Sequence, residues 1–568
     1  MAVFSFRSSG LLFLSQASRS GRFAQGGSRH PDRDGKLQPP WYLPDREGND
    51  GYEAQDNADA GQERDGPRIC DSRCAKAERA RSRDDGRLDR RRPALSQRSR
   101  ARKAERTPRA RSQGARTAWP RGLGFAARLE AVSAPLEVRY EDRRVGILRA
   151  DASNRFCFRY VEEWLGARDA FPVSIALPLG PHEESGGSAH SFFANLLPEG
   201  LVRQAVCRRL GISESNDVEL LRAIGGECAG ALSIVEAGAK LQAPDNEYEE
   251  LDAQKLQSLA DDDDRVVPLL VGGAQTRLSL AGAQEKLPVA LLDGKIHLPL
   301  KRSASTHILK LPNPRYAHLP QNEAFVLGLA SHAGLECASS ELTRATKPQS
   351  LLVERYDRRR TDDPWPVRRL HQEDFCQALG LLPGQKYEQE GGPSLAQAVA
   401  VVRTSVANPL HDVRRLIEWQ AFNAAVGNSD GHGKNLSILY DDEGPRLAPF
   451  YDLVSTREYA NLDRLLAMSV GGRRNADELG YEQWVSLASE LDMRDRVVLD
   501  IVGRTLETVA DILPRWTDTF RERYGRLPVL QTLPGRIDNQ LRRLRRGIEK
   551  PAKTANARKV KGGKTKKR

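Results

Sequence analysis

Alternation of apolar and polar positions begins at Leu136. Leu136, Val138 and Tyr140 alternate with charged residues, Asp142 to Arg144 supply a polar turn, Val145 and Ile147 resume, and Phe156, Phe158 and Tyr160 alternate again. A period of two broken by turn residues predicts an antiparallel meander. From 191 to 236 the spacing changes to three and four (Phe192, Leu196, Leu197, Val202, Val206, Leu210), and Ser213 before Glu219-Leu220-Leu221 predicts another helix. Together these predict a small α+β subdomain over 134–240, followed by a polar stretch, 245–264, that reads as a linker or an exposed helix.

Strand character returns in Val289-Ala290-Leu291-Leu292, and the Asp293-Gly294 pair before Ile296-His297-Leu298 predicts a hairpin. Thr306-His307-Ile308-Leu309-Lys310-Leu311 and 351–353 predict further strands, separated by a helix over 322–332. Beyond 356 the spacing is mainly helical, at 370–379, 395–406, 412–426, 475–491 and 495–512. Strands first and helices second predict an α+β, bilobal, protein-kinase-like architecture: an N-lobe over 241–355, a helical C-lobe over 356–530, and a basic tail over 531–568. Residues 1–133 are rich in Arg, Gly, Ser, Asp and Pro without sustained periodicity, and are expected to be disordered.

Charge refines this picture. Residues 1–134 carry 28 Lys and Arg against 17 Asp and Glu, and 550–568 carry 9 against none, so the formal +12 of the chain belongs to its ends. The remaining body carries a net charge of about −8, which excludes a uniformly basic, nucleic-acid-coating surface. Seven cysteines in no regular framework point to a reducing compartment, the cytosol. Cys70 and Cys74 lack partners at finger spacing. No run approaches the eighteen or so apolar residues of a membrane helix. The acid-free, Arg- and Ser-containing first thirty-one residues have a transit-peptide composition, which an upstream start codon would also produce.

The segment richest in chemistry is Asn428-Ser429-Asp430-Gly431-His432-Gly433-Lys434-Asn435. Phosphoryl transfer to a hydroxyl needs a carboxylate for the hydroxyl proton and an amide oxygen for Mg²⁺, and Asp430 and Asn435 have the D-x-x-x-x-N spacing of a kinase catalytic loop. In isolation the same segment also reads as a polar surface turn. Phe450-Tyr451-Asp452-Leu453 follows one strand and a turn later, which returns a second carboxylate beside Asn435. Upstream, Ser279-Leu280-Ala281-Gly282-Ala283-Gln284-Glu285-Lys286 is a small-residue loop able to approach phosphates, although it matches neither Walker A nor G-x-G-x-x-G. Lys310 can act as a point charge on the phosphates, and Glu323 is a candidate partner for it.

The ensemble resembles the HipA kinases over 136–524. The matching pieces are Ser191-Phe192-Phe193-Ala194-Asn195-Leu196-Leu197-Pro198-Glu199-Gly200, the loop from Ala281 to Lys286, Thr306 to Pro312, Glu354-Arg355-Tyr356-Asp357-Arg358, Gly427 to Asn435, and Tyr451-Asp452. The resemblance implies Asp430 as proton acceptor, Asn435 and Asp452 as Mg²⁺ ligands, and Lys310 as the phosphate lysine. It also implies phosphate contacts from Ala281 to Lys286 and from His432, Gly433, Lys434 and Asn435, and a grip on adenine by Glu354, Arg355 and Tyr356. Ser279 matches the serine that HipA kinases autophosphorylate. ATP and Mg²⁺, a HipB-like helix-turn-helix antitoxin that reaches DNA, and an aminoacyl-tRNA synthetase or other translation protein as substrate are implied with it. Two other readings stay open: an inactive, DNA-bound corepressor on the same fold, and a metal hydrolase built on His432 and His411.

Overall fold

The computed structural model describes residues 134–549, except 186, 240–245, 262–265, 272–285 and 361–366. The expected disorder of 1–133, Ser279, the loop residues Ala281 to Glu285 and the basic segment 550–568 therefore lie outside the described residues.

The predicted meander forms as β1 (Leu136–Tyr140), β2 (Arg143–Ala150) and β3 (Phe156–Tyr160), joined by β4 (Glu184–Ser185) and β5 (Leu232–Glu236) in an antiparallel sheet ordered β4-β3-β2-β1-β5. Helices α1 (Glu162–Leu165), α2 (Gly187–Ala194), α3 (Gly200–Leu210) and α4 (Asp217–Ile224) complete this subdomain. The helical reading of 191–236 is corrected at its end, because Leu232 to Glu236 pair with β1 as an edge strand.

The second sheet contains β6 (Tyr248–Glu250), β7 (Lys286–Leu292), β8 (Lys295–Pro299), β9 (His307–Lys310), β10 (Ser340–Leu342) and β11 (Leu351–Glu354), ordered β10-β11-β9-β7-β8-β6. Asp293 and Gly294 both take positive φ, 49° and 76°, so the hairpin turn closes with the twist its strands require. Helices α5 (Ala253–Asp261) and α6 (Val266–Leu270) precede β7, and α7 (Leu319–His332) links β9 to β10. Alternation divides this sheet between two cores. Leu287, Val289, Leu309 and Leu352 join the core of the N-terminal subdomain, whereas Leu351 and Val353 join that of α7 and the helical lobe. Lys310 lies on the strand face opposite Leu309.

The C-lobe contains the short pair β12 (Arg358–Arg359) and β13 (Arg368–Arg369), then β14 (His371–Asp374), α8 (Phe375–Ala378), α9 (Leu395–Ser405) and α10 (Pro409–Val426). Strands β15 (Ser437–Asp441) and β16 (Gly444–Leu447) follow, with β14-β15-β16 forming one sheet. The pair β17 (Leu465–Val470) and β18 (Arg473–Asn475) and helices α11 (Tyr481–Glu490), α12 (Asp495–Tyr524) and α13 (Leu533–Gly547) complete it. The helix expected over 370–379 starts only at Phe375. Asp374 and Gln377 form a capping box there, and the residues before it pair with β15. The tail boundary at 531 is also corrected, since Leu533, Ile537, Leu541 and Leu544 of α13 are buried against the helical core. Their spacing of four and three places them on one face, and the arginines between them face outward. Among the described residues, no helix is long and apolar enough to cross a membrane.

Candidate functional site

Lys310 carries its charge into the boundary between the two lobes. Its side chain is 3% exposed and its Nζ lies 2.5 Å from Oε1 of Glu323 on α7, whose side chain is 1% exposed. The same ammonium donates to Oδ1 of Asp452. Burial alone would lower the lysine's pKa, but the carboxylates of Asp452 and Glu323 overcome it and push the group above the usual lysine range. Burial raises Glu323 in spite of Lys310. Asp452, which burial would also raise, is held below the usual carboxylate range by the ammonium groups of Lys310 and Lys286. Lys286, at the start of β7, is lowered by burial. Asp452 has φ 54°, a left-handed conformation that aspartate tolerates better than most residues.

The second half of the site is the turn after α10. That helix starts with an Asn408 cap and ends at Gly427, whose φ of +68° reverses the chain. A Cβ at Gly427 would lie 2.5 Å from Cδ of Arg457, so the turn requires glycine twice over. Asn428 Oδ1 accepts from the Asp430 amide at 3.0 Å, and Asn435 Nδ2 donates to the Asp430 carbonyl at 2.6 Å. Asn435 is thus fixed on Asp430 through its nitrogen, leaving its amide oxygen as the atom for a cation. Thr456 Oγ1 accepts from the Ser429 amide at 3.0 Å and donates to the Gly427 carbonyl at 2.9 Å. This ties the loop to the segment after Asp452.

The Asp430 carboxylate is 48% exposed. Tyr387 Oη donates to its Oδ1, and His432 Nε2 lies 3.7 Å from it. Burial keeps His432 below its ordinary pKa against the pull of Asp430. Its Nδ1 has no partner among the described residues although it is buried.

Both halves border one cavity of about 540 Å³, lined by Lys286, Ile308, Lys310, Glu323, Val353, Glu354, Tyr356, Asp430, His432, Lys434, Asn435, Tyr451 and Asp452 among others. Tyr356 and Tyr451 supply aromatic walls with centroids 5.7 Å apart. The structure therefore gathers Asp430, Asn435, Asp452 and Lys310 around one space, as the sequence predicts. Two expected contacts have their charges engaged elsewhere. Arg355 turns into a buried cluster, with Nη2 2.7 Å from Asp357 Oδ2 and Nη1 3.0 Å from Ser305 Oγ, and its amide donates to the Thr306 carbonyl. Lys434 lies 2.6 Å from Glu199 Oε1, with its side chain 5% exposed. His411, the other half of the hydrolase reading, pairs with Asp412 and is not among the residues around the cavity.

Sequence reasoning missed Tyr387, Lys386 and the part played by Glu199. Tyr387 is a single aromatic in a connection rich in Gly, Gln and Glu, where no period marks it. Glu199 was visible within a motif, but nothing in the sequence shows which lysines it meets.

The cavity suits a magnesium nucleotide on this donor set. Magnesium is commonly held by one or two carboxylate or amide oxygens together with the phosphates, and Asn435 and Asp452 are such a pair. Among the described residues no three His, Cys, Asp or Glu side chains converge as a preformed metal site. His432, whose Nδ1 has no partner among the described residues, lines the same space.

Comparison with known proteins agrees with this geometry. A model of the HipA N-terminal domain matches 136–235, and a model of the HipA-like C-terminal domain matches 278–513. Y4mE of Sinorhizobium fredii, a protein assigned as a kinase, is 41% identical over 396 residues, 68% of this chain and 93% of that protein. The serine/threonine-protein kinase toxin HipA of Shewanella oneidensis is 29% identical over 395 residues, 66% of this chain and 89% of that protein. A solved complex of Shewanella oneidensis HipA with HipB and operator DNA aligns with a TM-score of 0.63 at 27% identity, covering 72% of this chain and 97% of that one. Matching domains in the same order, a relative aligned over nearly its whole length and a shared fold show that the chain belongs to the HipA family of serine/threonine kinase toxins.

Proposed function

We propose that this protein transfers the γ-phosphoryl group of ATP to a serine or threonine hydroxyl of another protein. Convergence of Lys310, Asp452, Asn435 and Asp430 on one cavity carries this reading. Lys310, held by Glu323, is a fixed positive charge for the α- or β-phosphate. Asn435 and Asp452 would hold Mg²⁺, which would supply neutralising charge at the triphosphate. Asp430, exposed and oriented by Tyr387, accepts the acceptor's hydroxyl proton as its oxygen bonds to phosphorus and ADP leaves. Glu354 and Tyr356 face the base, Tyr451 walls the same space, and Lys286 at the start of β7 adds a charge for the phosphates. Phosphorylation of Ser279 places a dianion beside the loop from Ala281 to Lys286 and opposes ATP binding.

In the cell the protein acts as the toxin of a toxin-antitoxin module in the cytosol, restrained by a HipB-like helix-turn-helix antitoxin through which it reaches DNA. Its substrate is an aminoacyl-tRNA synthetase or another translation protein. Phosphoproteomics after matched expression of the wild type and Asp430→Ala tests this. New phosphoserine or phosphothreonine on a translation protein, and phosphate on Ser279, are expected only with the wild type; identical phosphoproteomes reject the reading.

A further inference from the structure

One carboxylate joins the N-terminal subdomain to the catalytic loop. Helix α2 ends at Ala194 and α3 begins at Gly200, and the residues between them reach into the C-lobe. Glu199 Oε1 lies 2.6 Å from Lys434 Nζ, and its Oε2 lies 2.9 Å from Lys386 Nζ. Asn195 supports the same contact: its carbonyl accepts from Lys434 at 3.3 Å, and its Nδ2 donates to the Leu381 carbonyl at 2.8 Å. Each lysine adjoins a working residue. Lys434 precedes Asn435, and Lys386 precedes Tyr387, whose hydroxyl donates to Asp430. The Gly433 amide also donates to the Lys386 carbonyl at 3.1 Å, so the two lysine-bearing segments are joined by backbone as well as through Glu199.

Electrostatics make Glu199 the keystone of this arrangement. Two ammonium groups lie close together with side chains only 5% and 19% exposed, and the carboxylate between them is 17% exposed. Without it they repel in a medium that screens poorly, and each must seek water or another partner. Either movement displaces the segment carrying Tyr387 or the loop carrying Asp430 and Asn435.

We infer that Glu199 is a positioning residue for phosphoryl transfer, its carboxylate clamping Lys386 and Lys434 so that Tyr387 and the catalytic loop hold Asp430 in place. The inference rests on the kinase reading and extends it, giving the N-terminal subdomain a part in positioning the catalytic loop. Glu199→Gln, nearly isosteric, removes the charge while keeping the shape. Misplacing the reacting groups by about 1 Å costs up to about 100-fold in rate, so kcat of the full-length variant is expected to fall by 10- to 100-fold, with KM for ATP within about twofold of wild type. Glu199→Asp, which restores the charge on a shorter stem, is expected to recover part of kcat. A merely structural role would instead lower the active fraction and leave kcat per nucleotide-binding site unchanged.

Hydrogen exchange at the Gly433 amide reads the clamp without using activity. It is expected to quicken in Glu199→Gln while amides of the β1-β2 pair keep their protection. Wild-type exchange at Gly433 in Glu199→Gln, or a wild-type kcat in that variant, overturns the inference. A wild type that binds ATP but transfers no phosphate overturns the kinase reading instead, and the Gly433 measurement still decides whether the clamp exists.

Discussion

Replacing Lys310 by methionine removes the ammonium that bridges Glu323 and Asp452 while keeping most of the side chain's volume. Glu323 is then a buried carboxylate, 1% exposed, without its 2.5 Å partner. Asp452, 32% exposed, can turn toward water and relieve its own part. The penalty therefore falls mainly on Glu323. Breaking a buried ion pair by deleting one member costs about 3–5 kcal/mol. For a body of roughly 400 residues this lowers the melting point by about 4–6 °C. The loss must also depend on pH. Burial already raises Glu323 above the ordinary glutamate range, and losing Lys310 raises it further. A carboxyl with a raised folded pKa costs nothing below its unfolded pKa, and its penalty grows as pH rises toward the folded value. Urea unfolding followed by circular dichroism at pH 7.5 and pH 5 is expected to show the full deficit at the higher pH and a much smaller one at the lower. A variant as stable as wild type at pH 7.5, or one whose deficit grows on acidification, refutes the placement of this pair.

Three further outcomes follow from the same structure. Glu373, buried at the join with the N-terminal subdomain, accepts from Ser174 Oγ and Tyr440 Oη at 2.5 Å and from the Ile175 amide at 2.9 Å, yet burial raises it to about 7. Its contribution is lost as pH rises from about 4.5 to about 7, at most about 3 kcal/mol, so Glu373→Gln is expected to flatten the pH dependence of stability in that window. Truncation after Gln531 exposes the partners of Leu533, Ile537, Leu541 and Leu544, a loss of roughly 6–12 kcal/mol that rivals a whole domain's stability; an insoluble product is expected. Asp452→Asn is expected to raise the Mg²⁺ concentration giving half-maximal transfer at least several-fold, measured by titrating Mg²⁺ at fixed ATP.

What the sequence disclosed depended on how local its signals were. The β7-β8 hairpin was readable because Asp293-Gly294 dictates a turn within two residues, and the loop from Asn428 to Asn435 because its spacing is itself the chemistry. Lys310 and Glu323 were readable as a pair because one strand and the next helix bring them together over thirteen positions. The contacts of Glu199 were hidden, since they join residues 235 and 187 positions apart and no local pattern encodes that meeting. Arg355 was misleading: its position beside the cavity is right, but Glu227, 128 residues earlier, and Asp357 draw its guanidinium away. Helix α13 was hidden by its own composition. Leu533, Ile537, Leu541 and Leu544 carry a clean helical stripe, but the arginines between them resemble the basic segment that follows.

The most direct test of the whole account is the initial rate of γ-phosphate transfer from labelled ATP to serine or threonine of protein, measured for the purified chain and for Asp430→Asn with Mg²⁺ and with chelator. The account predicts transfer that requires Mg²⁺, a fall of about 10²- to 10⁴-fold in the variant, and nucleotide affinity and melting point retained there because the Asp430 carboxylate is 48% exposed. Equal incorporation by Asp430→Asn, or a wild-type chain that fails to bind Mg·ATP, contradicts it.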